Sequence, residues 1–156
     1  MKLALLGTGM IVTEVLPVLT TIEGIELEAI MSTPRSLDKA EALAKQYGLI
    51  QATSDYEVIL SNPDVDTIYI GTPNHTHYDY AKQALLAGKH VICEKPFTLH
   101  LEEFEELAKL AQEKELLLIE AITNQYLENF KVIKDSLSEI GDIKIVNINY
   151  SQYSSR

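Results

Sequence analysis

Five short apolar runs, each a strand's length, recur along this chain with longer amphipathic segments between them. The runs are Leu3–Leu6, Leu27–Met31, Thr67–Ile70, His90–Cys93 and Leu116–Ile119. A run that is apolar at successive positions, rather than at alternate ones, reads as a strand covered on both faces, as strands of a parallel sheet are. A weaker strand is expected near Ile50–Thr53. The intervening segments carry helical spacing. Leu37, Ala40, Leu43, Ala44 and Tyr47 share one face, with Ser36 as the expected cap and Gly48 as the stop. Thr98 is the expected cap of a later helix, with Glu102 and Glu103 in its first turn, where carboxylates suit the dipole. Its stripe is Leu101, Phe104, Leu107, Ala108 and Ala111. Strand–helix alternation of this kind, with right-handed crossovers, predicts an α/β doubly wound parallel sheet of the Rossmann type.

The last segment breaks the pattern. A helix is expected around Glu128–Ile140, then a turn at Gly141-Asp142. Ile143 to Tyr150 alternates apolar and polar residues, the period of a strand with one wet face. It is expected to begin an antiparallel sheet. Residues 1–122 therefore read as one Rossmann-type α/β domain, and 123–156 as a connecting helix and the first strand of a second domain. The Ser61-Asn62-Pro63-Asp64 cluster reads as a loop.

Charge and cysteine content narrow the function classes. The 156 residues carry a formal net charge of -10. Nucleic acid and anionic membrane would both be repelled. A nucleotide is not excluded, because a few backbone N–H groups hold a phosphate whatever the global charge. The single cysteine, Cys93, allows no intramolecular disulfide and no Cys-rich metal site, and no metal is expected. The apolar start, Leu3 to Leu6, is too short for a secretion signal, and no stretch is long enough to span a membrane. A cytoplasmic location is expected.

Four segments fall where strands end, the edge at which such sheets bind ligands. Gly7-Thr8-Gly9-Met10-Ile11-Val12 follows the first strand and opens a helix, as a dinucleotide fingerprint does. Gly7 allows the tight turn. Gly9 lets a pyrophosphate approach the backbone at a helix N-terminus. Val12 stands where the third glycine or alanine is usual, which predicts a looser helix–strand approach. A turn that binds nothing, or a methyltransferase pocket, uses similar glycines. The second strand ends Ser32-Thr33-Pro34-Arg35-Ser36, without the carboxylate, roughly 20 residues on, that usually holds an NAD ribose. Hydroxyls and the Arg35 fork favour the 2′-phosphate of NADP over NAD. Thr72-Pro73-Asn74-His75-Thr76-His77 follows the next buried strand and is expected to face the same crevice, surface imidazoles being the alternative. Glu94-Lys95-Pro96 ends the strand after that. Pro96 keeps Lys95 out of helical angles, so Lys95 is expected to point into the crevice, with a surface ion pair as the alternative.

Gly7-Thr8-Gly9-Met10-Ile11, Thr72-Pro73-Asn74 with His77, and above all the run Ala87-Gly88-Lys89-His90-Val91-Ile92-Cys93-Glu94-Lys95-Pro96 resemble the glucose–fructose oxidoreductase / inositol dehydrogenase family. The resemblance runs from Leu3 to about Tyr150. It implies an NAD(P)-dependent oxidoreductase acting on a sugar, polyol or related hydroxy compound. It implies Gly7, Thr8, Gly9, Met10 and Ile11 at the pyrophosphate, and Ser32 and Arg35 at the adenosine ribose or its phosphate. Thr72, Pro73, Asn74 and His77 would line the cofactor groove. Glu94 and Lys95 would sit near nicotinamide, with Lys95 as the catalytic contact to the reacting hydroxyl. It also implies a homo-oligomer, and a C-terminal antiparallel domain carrying further substrate contacts that this chain stops short of. Family members often carry Arg a few residues past the Glu-Ala ending the sixth strand, and Pro shortly after. Here Gln125 and Glu128 stand in that stretch. The competing function is a non-enzymatic NAD(P)-binding sensor or interaction module, docking through the edge at Ile143–Tyr150.

Overall fold

A computed structural model describes residues 1–149 and 151. Its six strands are β1 (Lys2–Leu6), β2 (Glu26–Met31), β3 (Gln51–Thr53), β4 (Thr67–Ile70), β5 (His90–Cys93) and β6 (Leu118–Glu120). The helices are α1 (Met10–Leu19), α2 (Leu37–Tyr47), α3 (Tyr56–Leu60), α4 (His77–Leu86), α5 (Leu101–Glu113) and α6 (Glu128–Ser136). The strands form one sheet in the order β3-β2-β1-β4-β5-β6, every pair parallel. This is the doubly wound Rossmann arrangement, and its order reverses between β1 and β4.

Successive strand residues serve opposite faces. Ala4, Leu6, Ile68, Ile70, Val91 and Cys93 pack with Ala81 and Leu85 of α4 and Leu107 and Ala111 of α5. Leu3, Leu5, Ile30 and Tyr69 pack with Val12 and Leu16 of α1 and with Ala40 and Leu43 of α2. Burial on both sides is why these strands are apolar without alternation.

Several local expectations shift. Ser36 stands at the N-cap position of α2, but its side chain accepts no capping hydrogen bond. Gly48 ends α2 in the left-handed region, at φ 76°, as a stop there requires. Thr98 is not the cap of α5. That position is His100, and Glu103 reaches back to accept the Leu99 N–H at 3.2 Å. In the α5 stripe, Leu107 and Ala111 are buried, whereas Leu101 and Phe104 are exposed. β6 starts two residues later than its apolar run. Leu116 still donates to Ala111 O at the end of α5, and Leu117 N–H donates to His90 Nδ1. The short α3, capped by Asp55 accepting from Glu57 N–H, has no counterpart in the expectations above.

Contacts divide the chain into Met1–Ala121 and Ile122–Arg156. In the second unit α6 is followed by a 3-10 turn, Leu137–Ile140. The expected strand is not formed. Residues 143–149 have no regular structure and are exposed, and Tyr150 lies outside the described residues. A strand is held by its ladder partner, and the described residues offer none.

Candidate functional site

At the reversal point β1 and β4 end side by side, and each is followed by a glycine. Gly7 N–H donates to Met31 O at 2.8 Å, and Gly71 N–H donates to Leu6 O at 2.9 Å. Gly7 has φ 106°, and a Cβ there would stand 2.7 Å from the carbonyl oxygen of Gly71. Both the turn and this close approach need glycine. A Cβ on Gly71 would meet Val12 Cγ2 at 2.6 Å. The expected looseness at Val12 is therefore absent. Val12 is fully buried, and the space a third fingerprint glycine would have left on α1 is supplied instead by Gly71 across the crevice.

Gly9 is the N-cap of α1 and differs from Gly7. A Cβ on it would meet nothing within 4 Å. It borders a cleft of about 750 Å³, lined by Gly7 to Ile11, by Met31, Ser32, Thr33, Ser36 and Lys39, and by Gly71, Thr72, Pro73, His75, Thr76 and Tyr80. That is within the ~300–1,000 Å³ of small-molecule sites. The first intrahelical bond of α1 is Thr13 N–H to Gly9 O, so the N–H groups of Met10, Ile11 and Val12 have no partner within the helix. They and the helix dipole present positive potential to the cleft. No Asp or Glu is in the lining, although the chain carries 23 of them. The lining cation is Lys39, whose ammonium donates to Thr8 O at 2.5 Å.

Sequence reasoning passed over Lys39 because it sits inside a helical stripe pattern. The signal was its place on the first turn after the Ser32–Ser36 segment. Arg35, expected there, is exposed in the 3-10 turn Pro34–Ser36 and is not part of the lining. Ser32 is buried at the cleft, its hydroxyl donating to Thr33 O.

The Thr72–His77 cluster divides. Thr72, Pro73, His75 and Thr76 line the cleft, but Asn74 does not. His77 is neither a surface imidazole nor a lining residue. It is fully buried, with Nε2 2.8 Å from Thr72 O and Nδ1 2.9 Å from Pro96 O. The strand–turn–helix geometry turns its ring under the cleft, toward the next loop.

The Glu94–Pro96 cluster lies beside the cleft rather than in its lining. Glu94 is half-buried, and its Oε1 accepts from the Tyr69 hydroxyl at 2.6 Å. Burial first, then this carboxylate, holds the Tyr69 phenol protonated far above its ordinary range. Among the described residues Glu94 and Lys95 form no ion pair, and the exposed Lys95 ammonium makes no hydrogen bond. The Lys95–Pro96 peptide bond is cis. Phe97 N–H is accepted by Glu120 Oε1 at 2.9 Å, pinning the loop from β6. Lys89, in the same sequence run, serves the opposite end of the sheet. Its buried ammonium donates to Asn62 O and Val65 O.

Residues 1–122 match the model of an oxidoreductase family with an NAD-binding Rossmann fold. Over 155 residues the chain is 35% identical to a scyllo-inositol 2-dehydrogenase (NADP(+)), IolU, of Bacillus subtilis, covering 99% of this chain and 47% of that protein. It is 28% identical to a trans-1,2-dihydrobenzene-1,2-diol dehydrogenase of Xenopus laevis, covering 96% and 46%. Among solved structures, KijD10, a 3-ketoreductase from Actinomadura kijaniata in complex with TDP-benzene and NADP, superposes with a TM-score of 0.82. The identity is 31%, over 89% of this chain and 43% of that one. The chain thus spans about half the length of the relatives it matches.

Proposed function

The chain belongs to the oxidoreductase family with an NAD-binding Rossmann fold, and on that premise we propose that it is the dinucleotide-binding part of an NADP-preferring oxidoreductase. Its reaction moves hydride between nicotinamide and a hydroxyl-bearing carbon of a sugar, polyol or related compound. The observation that carries this reading is the cleft at the β1–β4 reversal. It has a free helix N-terminus, a lysine and no carboxylate, in a chain of net charge -10. Such a site suits a ligand with several phosphates.

The residues divide the work. Gly7 shapes the turn, and Thr8, Gly9, Met10 and Ile11 would hold the pyrophosphate through backbone N–H groups, with the open space at Gly9 admitting it. Ser32, Thr33 and Ser36 offer hydroxyls to the adenosine ribose. Lys39 would meet the 2′-phosphate from the first turn of α2, with Arg35 exposed in the turn before it. Thr72 and Pro73 form the opposite wall. Bound nicotinamide supplies the hydride acceptor or donor. Lys95 holds the reacting hydroxyl and passes its proton, and Glu94, oriented by Tyr69, borders the nicotinamide end. NADP(+) in the name of the Bacillus relative and in the Actinomadura complex supports the same cofactor.

Calorimetric titration of the chain with NADPH and with NADH tests the proposal, since the chain has no Trp to report by fluorescence. Tighter NADPH binding that Lys39→Ala reduces toward the NADH value is the expected result. No binding of either nucleotide by folded protein would sink it.

A further inference from the structure

His77 is bonded in a way a neutral imidazole cannot satisfy. Both its partners, Thr72 O and Pro96 O, are backbone carbonyls, at 2.8 and 2.9 Å. Carbonyl oxygens only accept. A neutral ring has one N–H and one bare nitrogen, so one of these contacts would set two lone pairs against each other. Turning the ring over would face two carbons to the carbonyls and leave a fully buried ring without its bonds. The ring with a proton on each nitrogen satisfies both acceptors.

Two carboxylates are tied to the loop that carries Pro96. Glu120 accepts from Phe97 N–H, one residue beyond Pro96. Glu94 lies two residues before Pro96, its carboxylate oriented by Tyr69. Cys93, at the foot of the same loop, has its thiol pushed up by burial first and then by the charges of Glu94 and Glu120. His90 shows the opposite pattern. Its Nδ1 accepts the Leu117 N–H at 3.0 Å and so carries no proton.

We propose that His77 is a doubly protonated, fully buried imidazolium, and that it is the positioning residue that sets the Lys95 loop against the Thr72–Pro73 wall of the cleft. One ring bridges the carbonyl of a cleft-lining residue and the carbonyl next to Lys95, so the two loops move as one unit. The positioning part rests on the dinucleotide reading of the cleft. The protonation part does not.

The test uses the whole chain labelled with ¹⁵N at histidine. Two-bond proton–nitrogen correlation at neutral pH, without nucleotide, reads the state of each ring nitrogen. The His77 signal is the one that survives each of His75→Gln, His90→Gln and His100→Gln. Both His77 nitrogens are expected to carry protons, with His90 as the internal example of a bare nitrogen. A bare nitrogen on His77 overturns the proposal. NADPH is then added to saturation, checked by calorimetry on the same sample. The His77 ring signals are expected to shift although the ring does not line the cleft. Unmoved signals at saturation overturn the positioning role. Absence of any NADPH binding is failure of the dinucleotide reading, and leaves the ring result to decide the protonation.

Discussion

Gly7 and Gly9 stand two residues apart and are needed for different reasons. Gly7 combines φ 106° with a backbone oxygen 2.7 Å from any Cβ, and that oxygen cannot turn away as a side chain can. Gly7→Ala is expected to destabilise the chain by about 2 kcal/mol or more, read from denaturant unfolding. Gly9 has open space where its Cβ would be, and a φ of -71° that any residue adopts. Gly9→Ala is expected to cost about 1 kcal/mol or less in stability. It should nevertheless weaken NADPH binding by about tenfold, near 1.4 kcal/mol, because the added methyl stands where the pyrophosphate meets the backbone. Equal effects of the two substitutions on both readouts would contradict this division. The two cations of the segment after β2 separate in the same way. Lys39→Ala is expected to reduce NADPH affinity by about 1.5–3 kcal/mol, the worth of a charge-assisted hydrogen bond. NADH affinity should change little. Arg35→Ala, exposed and outside the lining, is expected to have the smaller effect in the same titration.

At the scale of elements, α1 and the end of β4 are fitted to each other through Val12 and Gly71. A methyl added at Gly71 meets Val12 Cγ2 at 2.6 Å, and Ile11 Cγ2 and Tyr69 Cε1 at 3.3 Å. Gly71→Ala is expected to cost about 1–3 kcal/mol as overpacking. In a Val12→Ala background, where the nearest obstacle is gone, the same change should cost clearly less. A double-mutant cycle with no coupling would show that the helix does not owe its position to this contact. The same pairing explains how α1 keeps a close approach to the sheet while Val12 occupies a position where small residues are usual.

For the molecule as a whole, every fully buried apolar side chain among the described residues lies between Leu3 and Ala111, on the two faces of one sheet. Described residues from Leu127 to Ile148 carry several large apolar side chains that are exposed. A chain ending at Ala121 is therefore expected to keep a cooperative unfolding transition and its NADPH affinity. Loss of either would show that the core description is incomplete. Cys93 reports on the same core. It is fully buried, and burial pushes its thiol up, so little thiolate is present at neutral pH. A thiol reagent is expected to label folded protein very slowly and unfolded protein quickly. Fast labelling under native conditions would place the β5 strand outside the protected core.

Spacing along the chain was enough to find β1, β2, β4 and β5 to within a residue, α2 with its glycine stop, and the glycine turn at the head of α1. Each of these depends on neighbours close in sequence: a buried run, a helical stripe, a residue able to take positive φ. Local spacing also misled where a distant partner was decisive. Ile143 to Asn149 alternates like a strand but has no ladder to join, and Leu116 and Leu117 are still held at the end of α5 and by His90 when the apolar run begins. The site was half legible. The glycines, Ser32, Thr72 and Pro73 border one cleft, but Lys39 replaces Arg35 there and His77 turns inward to Pro96. Which cation reaches the cleft depends on where α2 lies over the sheet. Which carbonyls meet an imidazole depends on how His77 and Pro96, 19 residues apart, converge. Those are distances across the fold, set by the packing of helices on a twisted sheet, and no pattern within either segment encodes them.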